Sequence, residues 1–180
     1  MPATANTPAG RPAPAPAVVA LLAGAAALTA AGIHWGPPGT RPAPAGTTTA
    51  SAEQSGVQVT VVVSPDSVTA TYRPERPGFH LYSITLPADG TDGLGTPTAL
   101  DVQGGLHATG APAADQPVQL LDLPGLDTAV PVYPDGPVTV TLPVTRTGPA
   151  AAQVVVSYAA CSTRTCLFPV RDLVIHVTLH

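Results

Sequence analysis

The stretch "VQVTVVVSPDSVTATY", Val57 to Tyr72, decides the fold class. Successive side chains of a strand point to opposite faces, so Val57, Val59, Val61 and Val63 share one side. "SPDS" supplies turn residues, and "VTATY" answers as a second β-branched run. The two runs read as an antiparallel hairpin with one apolar face. The same signature recurs toward the C-terminus. "GFHLYSITL", Gly78 to Leu86, is apolar on both faces and predicts a central sandwich strand. "PADGTDGLG" reads as a loop, and "PTALDVQ" and "VQLLDL" as shorter strands. "PVTVTLPVT", Pro137 to Thr145, aligns Val138, Val140, Leu142 and Val144 on one side. Pro143 has no N–H to donate, which puts this strand at an edge or a bulge at that position. "QVVVSYAA" and "DLVIHVTL" close the chain. About eight short strands, separated by turn signals, predict an all-β fold over 57–180: an immunoglobulin-like antiparallel β-sandwich, with a small barrel as the alternative.

Composition points the same way. Aromatic residues make up 4% and charged residues 10% of the 180, while Pro and Gly number 23 and 17. That balance favours short strands and turns over helices. The net charge of -4 carries no basic footprint for nucleic acid. All seven cations are arginine. The N-terminal part has a different character. "MPATANTPAGRPAPAP" is polar and proline-rich, and "AVVALLAGAAALTAAGI", Ala17 to Ile33, is an uncharged apolar run. Its length lies between a signal-peptide core and a full membrane span, so residues 1–35 read either as a cleavable signal peptide or as a retained membrane anchor. Small residues at Thr29 and Ala31 fit signal cleavage, and Trp35 fits a membrane interface. Residues 36–56, rich in Pro, Gly and Thr, read as a linker. Both readings export the domain to a periplasmic or other extracytoplasmic space, where disulfides persist.

The only two cysteines, Cys161 and Cys166, lie in "SYAACSTRTCLFPV" between the last two predicted strands. A domain of this size folds without a disulfide, and a ring this short stabilises by only about 2 kcal/mol. The pair is therefore a poor staple and a plausible dithiol switch. Arg164 between the cysteines and Arg171 beyond them would favour a thiolate, the attacking species in exchange. An inert clip remains the competing reading, because extracytoplasmic disulfides are usually structural. Two cysteines without a third ligand make a weak zinc site, and His176 reads as solvent-facing on its strand. No glycine-rich phosphate loop, paired carboxylates or Ser-His-Asp arrangement stands out, and no cofactor is implied.

Three segments carry a resemblance. "YAACSTRTCLFP" resembles the Y-x-x-C...C-x-x-P segment of the N-terminal periplasmic domain of the thiol:disulfide interchange protein DsbD. "PVYPDGPVTVTLPV" looks like the strand that leads to it, and "GFHLYSITL" looks like the G-x-H-x-Y strand near the start of that domain. The matches fall in the family's order. The resemblance implies an immunoglobulin-like domain with a redox-active pair at Cys161 and Cys166, acting as the electron-transfer component of a thiol:disulfide oxidoreductase. Its partners would be thioredoxin-like oxidoreductases and a membrane electron donor, here a separate protein, since the sequence contains no membrane electron channel or thioredoxin-like domain. By position, Cys166 would attack the partner's disulfide and Cys161 would resolve the mixed species. Tyr82 and Tyr158 match tyrosines that shield the pair, against a bland reading as packing residues, and His80 reads as an exposed strand-end histidine. The family's cap loop corresponds to "LDLPGLDTAVPVY", with Leu126 in place of an aromatic tip. Phe168 stands where the family usually has a first proline, and Pro169 keeps the second.

Overall fold

The computed structural model describes residues 46–180 apart from Pro124 and Leu126. The apolar run at 17–33, the linker up to residue 45 and the expected cap residue Leu126 lie outside the described residues. Within the described residues the chain forms thirteen strands. They are β1 (Thr48–Gln54), β2 (Val57–Val63), β3 (Ser67–Pro74), β4 (His80–Leu81), β5 (Ala99–Gly104), β6 (Leu106–Ala108) and β7 (Ala113–Ala114). Then come β8 (Gln119–Leu121), β9 (Val130–Val132), β10 (Val138–Arg146), β11 (Ala151–Tyr158), β12 (Ala160–Cys161) and β13 (Val170–Thr178).

One sheet has the order β1-β2-β3-β10, with β6 and β7 sharing the far edge of β10. The other has the order β13-β11-β5. All pairings are antiparallel. The alternation of the sequence is realised directly. Val57, Val59, Val61 and Val63 are buried, as are Val68, Ala70 and Tyr72 on β3 and Val138, Val140 and Leu142 on β10. They meet Leu100, Val102, Val154, Val156, Ile175 and Val177 from the second sheet in one core. Two apolar sheet faces closing on each other is the sandwich that the strand spacing predicts. Tyr72 and Tyr158 pack edge to face in it, with ring centroids 5.6 Å apart. Their hydroxyls reach backbone carbonyls, Tyr72 to Ala99 at 2.7 Å and Tyr158 to Gln54 at 3.0 Å.

Three expectations need correction. The stretch 36–56 is not linker throughout, because β1 pairs with β2 along its whole length, from Thr48↔Val63 to Gln54↔Val57. Only its alanines, Ala50 and Ala52, pack against the core, so the edge strand lacks a hydrophobic signature. Ser55 and Gly56, at φ 52° and 66°, form the two-residue turn that joins it to β2. "GFHLYSITL" forms only the two-residue β4 and not a long central strand. Its two apolar faces serve two different apolar clusters. Third, β10 is interior to its sheet despite Pro143. The Pro143 carbonyl accepts from Thr109 N–H at 2.9 Å, on the side where β6 has ended and β7 has not begun. The missing N–H faces that interruption, so no ladder bond is lost.

The site is positioned by an irregularity at the end of β11. Its register against β13 shifts between Val156 and Tyr158. Asp172 takes φ 53° there, and its N–H donates to Ser157 Oγ at 2.9 Å. A bulge of this kind bends a strand and re-aims the residues beyond it. Here it frees the chain after Tyr158 to leave the β13-β11-β5 sheet and pair with β4 instead.

Candidate functional site

Residues 158–161 form a wall between two apolar clusters. Tyr158 and Ala160 face the sandwich core. Ala159 and Cys161 face a smaller cluster with Tyr82, Leu86, Val130 and Val132, against which Leu121 and Leu123 pack. The opposing chain divides in the same way, with Leu81 in the main core and Tyr82 in the small one. This is the period-2 alternation of extended chain used on both faces. The small cluster is built from β12-β4, Ala160↔Leu81 and Cys161↔His80, joined to the β8-β9 pair through a bridge between Tyr82 and Val132.

Beyond Cys161 the chain makes a tight hairpin. Ser162 N–H donates to the Thr165 carbonyl at 2.8 Å, and Ser162 Oγ accepts from the N–H groups of Arg164 and Thr165, each at 3.2 Å. Leu167 N–H then donates to the Ala160 carbonyl at 2.9 Å. These bonds bracket Cys161 and Cys166, which sit opposite each other with Cα atoms 4.0 Å apart and form a disulfide. The hairpin is therefore closed on both sides of the sulfurs by hydrogen bonds that do not depend on the S–S bond.

The two cysteines are unequal. Cys161 is 4% exposed, whereas Cys166 lies at the surface. Tyr82 Oη is 3.3 Å from Cys161 Sγ. A disulfide sulfur carries no proton, so the phenol is the donor. A phenol is protonated and able to donate at neutral pH, and burial pushes the Tyr82 hydroxyl up further from its ordinary range. Tyr82 is fixed in turn by its backbone, whose carbonyl accepts from the Thr98 hydroxyl at 2.7 Å.

A cavity of about 220 Å³ opens beside the sulfurs. Cys161, Cys166 and Tyr82 line it together with a wall of residues 93–96 and with Ala159, Leu167, Pro169 and Arg171. Gly95, at φ +93°, brings the 93–96 wall against the tyrosine; a Cβ there would lie 3.0 Å from Tyr82 Cε1 and 2.9 Å from Leu86 Cδ2. Only glycine takes that backbone and that approach together.

The structure thus brings Tyr82, Cys161, Cys166 and Pro169 to one place. Tyr158 belongs to the main core and does not cover the sulfurs. Arg164 is exposed on the hairpin turn, and Phe168 is 87% exposed. His80 is buried, contrary to its reading as an exposed histidine, and its Nδ1 lies 3.3 Å from Asp135 Oδ1. It sits opposite Cys161 in the ladder, which draws it inward. The 93–96 wall was missed because "PADGTDGLG" reads only as a loop; its run of glycines was the available signal. Among the described residues, no three His, Cys, Asp or Glu side chains group as metal ligands, and no helix is long and apolar enough to cross a membrane.

No family model and no curated protein matches the chain. A solved structure, the Neisseria meningitidis DsbD N-terminal domain in the reduced form, is similar over 68% of this chain and 91% of that one, at 15% identity and a TM-score of 0.43. It is the same domain that the three sequence segments resemble.

Proposed function

We propose that the domain is an extracytoplasmic thiol:disulfide exchange module. It passes electrons from a membrane reductant to thioredoxin-like partners through Cys161 and Cys166. The observation that carries this reading is the unequal pair on a hairpin that closes without it. A structural bond would tie elements that otherwise separate, but here the hydrogen bonds of Ser162 and Leu167 already hold the hairpin. Reduction leaves the two thiols adjacent and ready to re-form the bond.

The exposure difference supports one order of steps. A donor thiolate attacks Cys166 Sγ, the accessible sulfur. The Cys161–Cys166 bond breaks, and Cys161 leaves as a thiolate that accepts the Tyr82 hydroxyl hydrogen bond. The donor's second thiol then displaces Cys166, so that the donor dithiol becomes a disulfide and the domain becomes a dithiol. In the onward transfer Cys166 attacks the acceptor's disulfide and Cys161 resolves the mixed species. Export by the N-terminal apolar segment, as signal or as tether, puts this chemistry outside the cytoplasm.

The test is the reduction potential of the pair in the full chain, together with trapping. A potential of roughly -200 to -300 mV is expected, within range of thioredoxin-like proteins. Cys161→Ala should accumulate a mixed disulfide through Cys166, and Cys166→Ala should not. A potential well below about -300 mV with no trapped species would make the bond structural and leave a non-catalytic binding or scaffold module.

A further inference from the structure

We propose that the cavity beside Cys166 is a subsite for an aromatic side chain flanking the cysteine of a protein partner; this rests on the exchange reading above. A partner joined to Cys166 through a mixed disulfide has its own Cβ only two bonds from the Cys166 sulfur. Its neighbouring residue must then lie against the cavity, which Cys166 itself lines. The lining is mainly apolar, from Leu94, Leu167, Pro169 and Ala159, with Tyr82 beside them. A cavity of about 150 Å³ takes benzene, so the 220 Å³ here holds one aromatic side chain.

Charge complementarity selects aromatic over aliphatic. Among the described residues that line the cavity, Arg171 carries the one charged side chain. It stands at the start of β13, is exposed, and lines the cavity. A guanidinium beside a ring face is attracted by the ring quadrupole, which an aliphatic side chain lacks. Leu94, at the rim of the facing wall, is 38% exposed and presents apolar surface to whatever enters. Phe168, two residues from Cys166, is almost fully exposed and is not part of the lining.

The test uses peptide thiols as probes of the full chain. N-acetyl-Xaa-Cys-Xaa-amides are made with Xaa as phenylalanine, cyclohexylalanine or alanine, so that both flanks are sampled. In each reaction one peptide thiolate attacks Cys166, Cys161 leaves, and a second peptide thiol completes formation of the peptide disulfide and the protein dithiol. Rates are compared at equal thiolate concentration. The phenylalanine peptide should react at least tenfold faster than the alanine peptide, and the cyclohexylalanine peptide should fall between them. Arg171→Gln should bring the ratio of the phenylalanine rate to the cyclohexylalanine rate down to about one, whatever common change the loss of the charge makes to all three rates. Measurable but equal rates for phenylalanine and alanine would overturn the subsite and leave the exchange reading standing. Absence of reaction with every peptide would overturn both.

Discussion

Replacing Tyr82 by phenylalanine removes one oxygen from a buried ring and leaves its packing intact. In the oxidised domain that oxygen donates to a neutral sulfur at 3.3 Å, a weak bond contributing about 0.5 kcal/mol. After attack on Cys166 the same donor faces a thiolate, and a charge-assisted bond contributes about 2 kcal/mol. The difference, about 1.5 kcal/mol, falls on the reduced, thiolate form. It displaces the potential of the pair by at most about 30 mV toward more negative values, the full amount applying to a reduced domain that keeps Cys161 as a thiolate. With about half of the charge developed on the departing sulfur in the transition state, attack on Cys166 slows three- to fourfold, on the order of the rate change that 0.75 kcal/mol gives. The assay is the second-order rate of reduction by dithiothreitol, with the potential measured in parallel and thermal unfolding as a control. A Tyr82→Phe protein that unfolds normally and matches the parent in both rate and potential would refute the assignment of Tyr82 as the donor to the leaving sulfur.

Three further outcomes are expected. Replacing both cysteines by alanine should lower stability by only about 2 kcal/mol, the loop entropy of so short a ring; a chain that no longer folds, by circular dichroism, would make the bond a staple after all. Phe168→Ala should leave stability within about 0.5 kcal/mol, as for surface changes generally, yet slow exchange with a thioredoxin-like protein; an unchanged exchange rate would remove Phe168 from the contact surface. Alkaline titration should unfold the domain. Burial pushes the Tyr158 hydroxyl from 10.0 up to about 12 and raises Tyr72 further. The folded state holds these protons where the unfolded chain has lost them, so this stability is full below pH 10 and is lost as pH rises through about 12. Tyrosinate absorbance from every tyrosine near pH 10 with the sandwich still intact would contradict it.

The strands that build the sandwich were legible because each buries one face. β2, β3 and β10 carry regular alternation over seven to nine residues, while β11 and β13 were legible from their β-branched runs although their alternation breaks at Val155 and Asp172. The elements around the sulfurs were not, because they are two or three residues long and no periodicity develops over such a span. β1 escaped notice for a different reason: an edge strand facing solvent has little apolar content to display. The cysteine pair was visible from residue type and position in the chain, and Tyr82 through the family resemblance of its segment. Their unequal exposure was not, since it arises from a bulge at Ser157 and Asp172 that no local pattern announces. Arg171 and the 93–96 wall come together only through contacts distant in sequence.

The wall at residues 158–161 has a consequence for cooperativity. Because the sandwich core closes on one side of it and the Tyr82 cluster on the other, the two bodies of apolar contact are separate, and the smaller holds far fewer residues. Opening the smaller exposes Cys161 without breaching the larger. Regions with few buried contacts open locally at free energies well below that of global unfolding. Amide exchange should therefore divide the molecule into a slow set, on β2, β3, β10 and β11, and a fast set from Tyr82 to Thr98 and from Ala159 to Leu167. The fold can then keep its stability while the reactive end breathes on the timescale of partner encounter.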